Sequence, residues 1–372
     1  MEVTMYKTRR LLVPVVLLIF AFALPLQAEG IKKIAQTGMK WFSIPMGSRP
    51  AAMGNAFTAV ADDASSIFWN PAGIALAQGR HVYLNQTQWI ADINVNSGAI
   101  TYSTDGLGTF AISYAAADWG DLHGTQRADN AAGFVETGTF SPTDYAIGLG
   151  YAQQVSNQFA FGGHLKYVYE ELGSTLEGRL DAPKKYTGSL DLLAFDFGTL
   201  YRTGFKSLVI GMTLQNFSQE AQYRAEQFPL PLTFKFGLAM DVTDLWMNAE
   251  APHRLLVSVD AVHPRDYSER MHFGLEYGYN NLFFVRGGYK TNYDEEDLSF
   301  GAGLKYAISG LQIGLDYGYE QILNVLEGCE NNFNRFFMNE TRSNAGFRFK
   351  FSFNKLMHNV IFVKIFLCQI SF

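Results

Sequence analysis

From about residue 81 to residue 353, apolar and polar positions alternate with a period of two, the spacing that sends successive side chains to opposite faces of a strand. Fourteen such segments can be drawn, at about 81–91, 96–104, 107–118, 143–154, 157–171, 188–203, 206–217, 230–242, 253–263, 269–279, 281–291, 296–307, 310–320 and 343–353. In one of them Met271, Phe273, Leu275, Tyr277 and Tyr279 alternate with His272, Gly274, Glu276 and Gly278. In another Leu311, Ile313, Leu315, Tyr317 and Tyr319 alternate with Gln312, Gly314, Asp316, Gly318 and Glu320. One face is apolar with tyrosines near its ends and the other is polar or glycine, the dyad of a strand between lipid and a wet interior. A soluble sandwich has the same period, so the faces alone leave both architectures open.

The connections favour a barrel. Thr104-Asp105-Gly106, Ser156-Asn157, Gly204-Phe205-Lys206, Asn280-Asn281 and Ser309-Gly310 are short turns, and they alternate with long polar stretches at about 119–142, 172–187, 218–229 and 321–342. Short turns on the periplasmic side and long loops outside are the outer-membrane pattern. The expected fold is therefore all-β: a transmembrane antiparallel β-barrel of about fourteen strands over 81–353, with a short, partly helical N-terminal plug in its lumen.

The plug is the one long stretch that breaks the alternation, Met46 to Leu76, within an expected hatch at 29–80. Ser48 to Ala61 fits a short helix with Pro50 in its first turn and Met53, Phe57 and Val60 on one face, although alternation through Gly54 leaves a strand open. Asp62 and Asp63 stand where carboxylates favour the start of a helical turn, Ala64 to Trp69, and Pro71 is expected to stop it.

Composition then narrows the class. Aromatics make up 15% and charged residues 17% of 372 residues, and no run of 18 apolar residues precedes the C-terminal tail, which disfavours helical spans. Lys7, Arg9 and Arg10 before the apolar run Leu11 to Leu24, with Gln27-Ala28 ahead of Glu29, read as a signal peptide at 1–28 cleaved on export to the bacterial outer membrane. Phe347, Phe349, Phe351 and Phe353 alternate in the last expected strand, and the apolar tail 354–372 follows as a peripheral segment. A net charge of −6 without a basic stripe excludes nucleic acid as an expected partner, and Cys329 and Cys368 are too few for a disulfide framework.

The polar face carries charges that can pair across strands, namely Glu276, Arg286, Lys305, Asp316, Arg348 and Lys350. They read as a lumen ion network before they read as a substrate site. The seven histidines are dispersed, with no metal-binding spacing and no Gly-x-Ser-x-Gly elbow, so neither metal, cofactor nor catalysis is expected.

With its small residues, paired aspartates and Trp-Asn-Pro-Ala-Gly, the stretch MGSRPAAMGNAFTAVADDASSIFWNPAGIA resembles the N-terminal signature of the PorV/PorQ outer-membrane family, within the wider FadL-type long-chain fatty-acid transporters. The resemblance implies a lumen plug whose motif falls on Asp62, Asp63, Trp69, Asn70, Pro71, Ala72 and Gly73. It further implies a non-enzymatic barrel, surrounded by outer-membrane lipid, that binds or passes hydrophobic compounds. The alternative it implies is an accessory of a type IX-like secretion system that contacts the secretion pore or cargo proteins.

Overall fold

Alternating sequences close on themselves when every strand finds two neighbours, and this chain does so. The computed structural model describes residues 36–90, 93–177, 184–247, 251–293, 296–308, 311–322 and 341–351. The expected leader, both cysteines and the 354–372 tail lie outside them.

Eighteen strands form among the described residues. They are β1 Arg80–Gln88, β2 Asn94–Thr104, β3 Gly108–Asp118, β4 Leu122–Arg127, β5 Phe134–Phe140, β6 Thr143–Gln154, β7 Phe159–Glu177, β8 Lys184–Arg202, β9 Val209–Ser218, β10 Ala221–Gln222, β11 Gln227–Phe228, β12 Thr233–Asp241, β13 His253–Pro264, β14 Arg270–Tyr279, β15 Phe283–Lys290, β16 Glu296–Ile308, β17 Leu311–Ile322 and β18 Thr341–Phe351. Fourteen of them make a closed antiparallel barrel in chain order, with β18 returning to pair with β1 through Arg80↔Phe351 to Gln88↔Ser343. The other four make two hairpins, β4–β5 and β10–β11, inside the long connections at one end. Each expected strand has its counterpart. The main departure is the β7–β8 pair, whose 19-residue strands replace much of the expected loop at 172–187 and run past the register shift between Glu171 and Ser174.

The faces sort as alternation dictates. Leu149, Phe300 and Tyr317 point outward and are exposed, whereas His272, Gly274, Glu276, Gly314, Asp316 and Gly318 are buried facing inward. An apolar outer wall is the inverse of a water-soluble protein and is what a lipid environment requires. No helix among the described residues is long and apolar enough to cross a membrane.

Residues 36–79 lie inside the barrel. Trp41, Ile44 and Met46 are buried near the long-loop end, where Thr37 and Lys40 bind Asp266 in the turn between β13 and β14. The chain then descends toward the short-turn end, where β1 begins. The expected helix shortens to Ser48–Ala52, because Gly54 and Asn55 take positive φ of 60° and 63° and turn the backbone aside. Ala64–Phe68 is a 3₁₀ turn capped by Asp63. Pro71 does not merely stop that turn: it opens a further 3₁₀ helix, Pro71–Leu76, at the position where its missing N–H has no helical partner to lose.

Candidate functional site

The contact between the inner segment and the wall begins with glycine. Gly150, Gly162, Gly198, Gly211, Gly237, Gly274, Gly288, Gly301 and Gly318 stand on nine different strands, and a Cβ on any of them would run into the inner segment. A methyl at Gly162 would lie 2.6 Å from the Pro71 carbonyl oxygen, one at Gly211 2.5 Å from that of Thr58, and one at Gly318 2.5 Å from that of Ser48. This belt lets the inner backbone touch the wall directly.

Buried polar side chains then satisfy the backbone groups brought into that seam. Asn70, with no solvent exposure, accepts from the Ala72 amide at 3.2 Å and donates to the carbonyls of Thr58 and of Thr199 on β8, at 2.8 and 3.1 Å. Gln215 donates to the Phe68 and Trp69 carbonyls, Asp260 accepts from the amides of Phe57 and Thr58, and Ser258 donates to the Ala56 carbonyl. Trp69 donates its indole N–H to the Met46 carbonyl at 2.8 Å and sits edge-on to Phe57. Ala72 is buried, and Gly73 is pressed against Ala61 and Ser66, with no room for a side chain.

A charged cluster clamps the short-turn end. Arg49 makes a two-pronged bond to Glu276 at 2.8 and 2.9 Å and reaches Asp62 at 2.6 Å and Asp63 at 3.7 Å; Arg286 bonds the same Glu276 at 2.6 Å and Asp316 at 2.8 Å. Burial disfavours the Arg49 charge, but Asp62, Glu276 and Asp63 outweigh it and hold the guanidinium well above the ordinary arginine value. A cavity of about 140 Å³ lies beside this cluster, lined by Asp62, Leu76, Arg254, Arg286 and Lys305 among others.

On the other side of the seam, toward the long loops, lies a second cavity of about 70 Å³. Phe42, Ile44, Met46, Phe68 and Trp69 supply its apolar lining, and Ser113, His164, Lys166, Asp196 and Lys235 supply its polar one. Asp196 accepts from Lys166 at 2.7 Å, from the Asn216 amide at 2.7 Å and from His164 at 3.2 Å. Its ladder position is vacated by the register shift between Phe195 and Phe197, so side chains replace the missing strand bonds.

Of the residues expected from sequence, the structure brings Asp62, Asp63, Glu276, Arg286 and Asp316 into one cluster around Arg49, and Trp69 through Gly73 into the seam. Lys305 lines the neighbouring cavity. Arg348 and Lys350 fall on β18, of which only the backbone is described, opposite Tyr83 and His81 of β1. Sequence reasoning missed Arg49, because only the fold places a plug residue against β14. It also missed the cavity group, whose members stand on separate strands. Alternation could have assigned Ser113, His164, Lys166 and Asp196 to the inward face, but not to a common level.

Comparison with known proteins bears on this architecture. Residues 19–148 match the sequence model of an uncharacterised protein family, UPF0164. No curated protein matches the chain. Among solved structures it is similar to the Ralstonia pickettii toluene transporter TbuX, with 16% identity, a TM-score of 0.52, and 83% of this chain and 98% of that one covered. It is also similar to the Pseudomonas putida toluene transporter TodX (13%, TM-score 0.50, 82% and 97%) and to a Pseudomonas aeruginosa FadL homologue (10%, TM-score 0.50, 84% and 99%). At these identities the likeness establishes the fold alone, an antiparallel β-barrel.

Proposed function

We propose that this chain is a bacterial outer-membrane barrel that binds or passes hydrophobic compounds, reaching the membrane after removal of its 1–28 leader, with residues 29–80 acting as its plug. The observation that carries the reading is the inner seam: a barrel with an apolar outer wall whose lumen is filled at mid-height by the inner segment. The toluene transporters that share the fold support the same class of compound. Purified protein in liposomes is expected to bind labelled toluene or a labelled long-chain fatty acid. Absence of binding for every apolar compound offered would overturn the reading.

The PorV/PorQ resemblance of Met46 to Ala75 supports a second role, as an accessory of a type IX-like secretion system. The β4–β5 hairpin favours it, because Leu122, Phe134, Val135 and Phe140 are exposed there outside the barrel, where apolar side chains suit contact with another protein. Co-purification with a secretion pore from native membranes is the expected result of that role; recovery of the barrel alone would count against it.

A further inference from the structure

The cavity above the seam contains an arrangement that hydrophobic transport does not use. Ser113 on β3 and His164 on β7 are two strands apart, yet the Ser113 hydroxyl lies 2.7 Å from His164 Nε2. They meet because the residue between them on β6 is Gly148, where a methyl would stand 2.5 Å from Ser113 Oγ and strike the imidazole. His164 Nδ1 lies 3.2 Å from Asp196 Oδ2 on β8. Asp196 cannot swing away, because Lys166 and the Asn216 amide hold its other oxygen. With Asp196 accepting from Nδ1–H, the imidazole presents Nε2 as the base toward the serine hydroxyl, the order of roles that defines a nucleophile, its base and the group that orients the base.

We propose that Ser113, His164 and Asp196 form a hydrolytic site for carboxylic esters with a short apolar acyl group. The three line one cavity with Phe42, Ile44, Met46 and Phe68, so the acyl chain has an apolar wall facing the polar triad. The volume of about 70 Å³ is roughly half that of the ~150 Å³ cavity that admits benzene, which limits the acyl group to a few carbons. Lys235 lines the same cavity and has no hydrogen-bond acceptor among the described residues, its ammonium resting 4.7 Å above the Trp69 ring. In this proposal its ammonium is the group offered to the oxyanion, since the backbone amides of a closed strand ladder are already bonded.

The step balances with water as the only co-reactant. Ser113 Oγ bonds to the ester carbonyl carbon as its proton passes to His164 Nε2. The bond from that carbon to the alkoxy oxygen breaks, and the alcohol leaves with the proton from His164. Water then attacks the acyl-serine, giving a proton to His164. The carbon–Oγ bond breaks, the acid is released, and Ser113 recovers its proton.

The test uses the full-length barrel in detergent micelles, treated with methanesulfonyl fluoride, a small serine-directed probe, and assayed for acid release from methyl acetate. Peptide mass mapping is expected to find the label on Ser113. Ser113→Ala and His164→Gln are expected to lose it and to hydrolyse the ester about 10²-fold more slowly or worse, whereas Ser97→Ala, a buried lumen serine outside the triad, keeps both. Gly148→Ala, which separates the serine from the base, is expected to lose labelling while the barrel still shifts on heating in a gel. Absence of label on Ser113 in the folded wild type, or wild-type hydrolysis no faster than Ser113→Ala, overturns the proposal. Should a variant fail to fold, the wild-type label map decides alone.

Discussion

Arg49 shows how much can depend on one side chain in this lumen. It bridges two plug aspartates, Asp62 and Asp63, to Glu276 on the wall, and among the described residues its removal would leave Glu276 to Arg286. Breaking a buried pair by deleting one partner costs about 3–5 kcal/mol. Arg49→Met is therefore expected to lower the unfolding free energy of the refolded barrel by a comparable amount, read from urea titration, and an unchanged value would show that the cluster is not a clamp. The neighbouring glycines Gly287 and Gly288 make a sharper contrast. A methyl at Gly288 would overlap the Gly54 amide, whereas at Gly287 the nearest atom is 4.0 Å away. Gly288→Ala is expected to cost about 1–3 kcal/mol by overpacking and Gly287→Ala less than about 0.5 kcal/mol, measured in the same unfolding assay.

At the scale of elements, the inner segment has little regular structure of its own. Its four helical pieces are four to six residues long, too short to be stable alone. The wall holds them, through Gln215, Asp260, Ser258 and the glycine belt. Trp69 ties the top of this segment to its middle, and Trp69→Ala is expected to cost about 3–5 kcal/mol as a large buried truncation. Deleting Met46 to Leu76 removes the seam itself. Single-channel recording is expected to find a higher ion conductance for that barrel, and unchanged conductance would mean the segment does not obstruct the lumen.

At the scale of the whole molecule, the decisive property is which face meets the solvent. Leu149 lies midway along β6 and is 62% exposed. In a bilayer, a lysine there is expected to destabilise the barrel by about 2–4 kcal/mol, read by urea unfolding in liposomes. On the surface of a water-soluble sandwich the same change would be near neutral, so the measurement separates the two architectures that share the period.

Alternation by itself determined the fourteen barrel strands and their two faces, though not the two hairpins in the long connections, because side-chain direction in a strand depends only on whether its position is odd or even. Asp63 as a cap was legible for a local reason: its partners, Ser65 and Ser66, lie two and three residues on. The span of β7 and β8 was not, since their outer ends are held by each other and their polar composition imitates a loop. The 3₁₀ helix at Pro71 depended on whether the chain resumed turning after the break, which Gly162 and Gly198 decide by leaving room for it. Arg49 meeting Glu276, and Ser113 meeting His164 across Gly148, required strand register and closure. Those contacts span 227 and 51 positions, and the height at which strands pair around a barrel is a property of the whole sheet, set only when its first and last strands join.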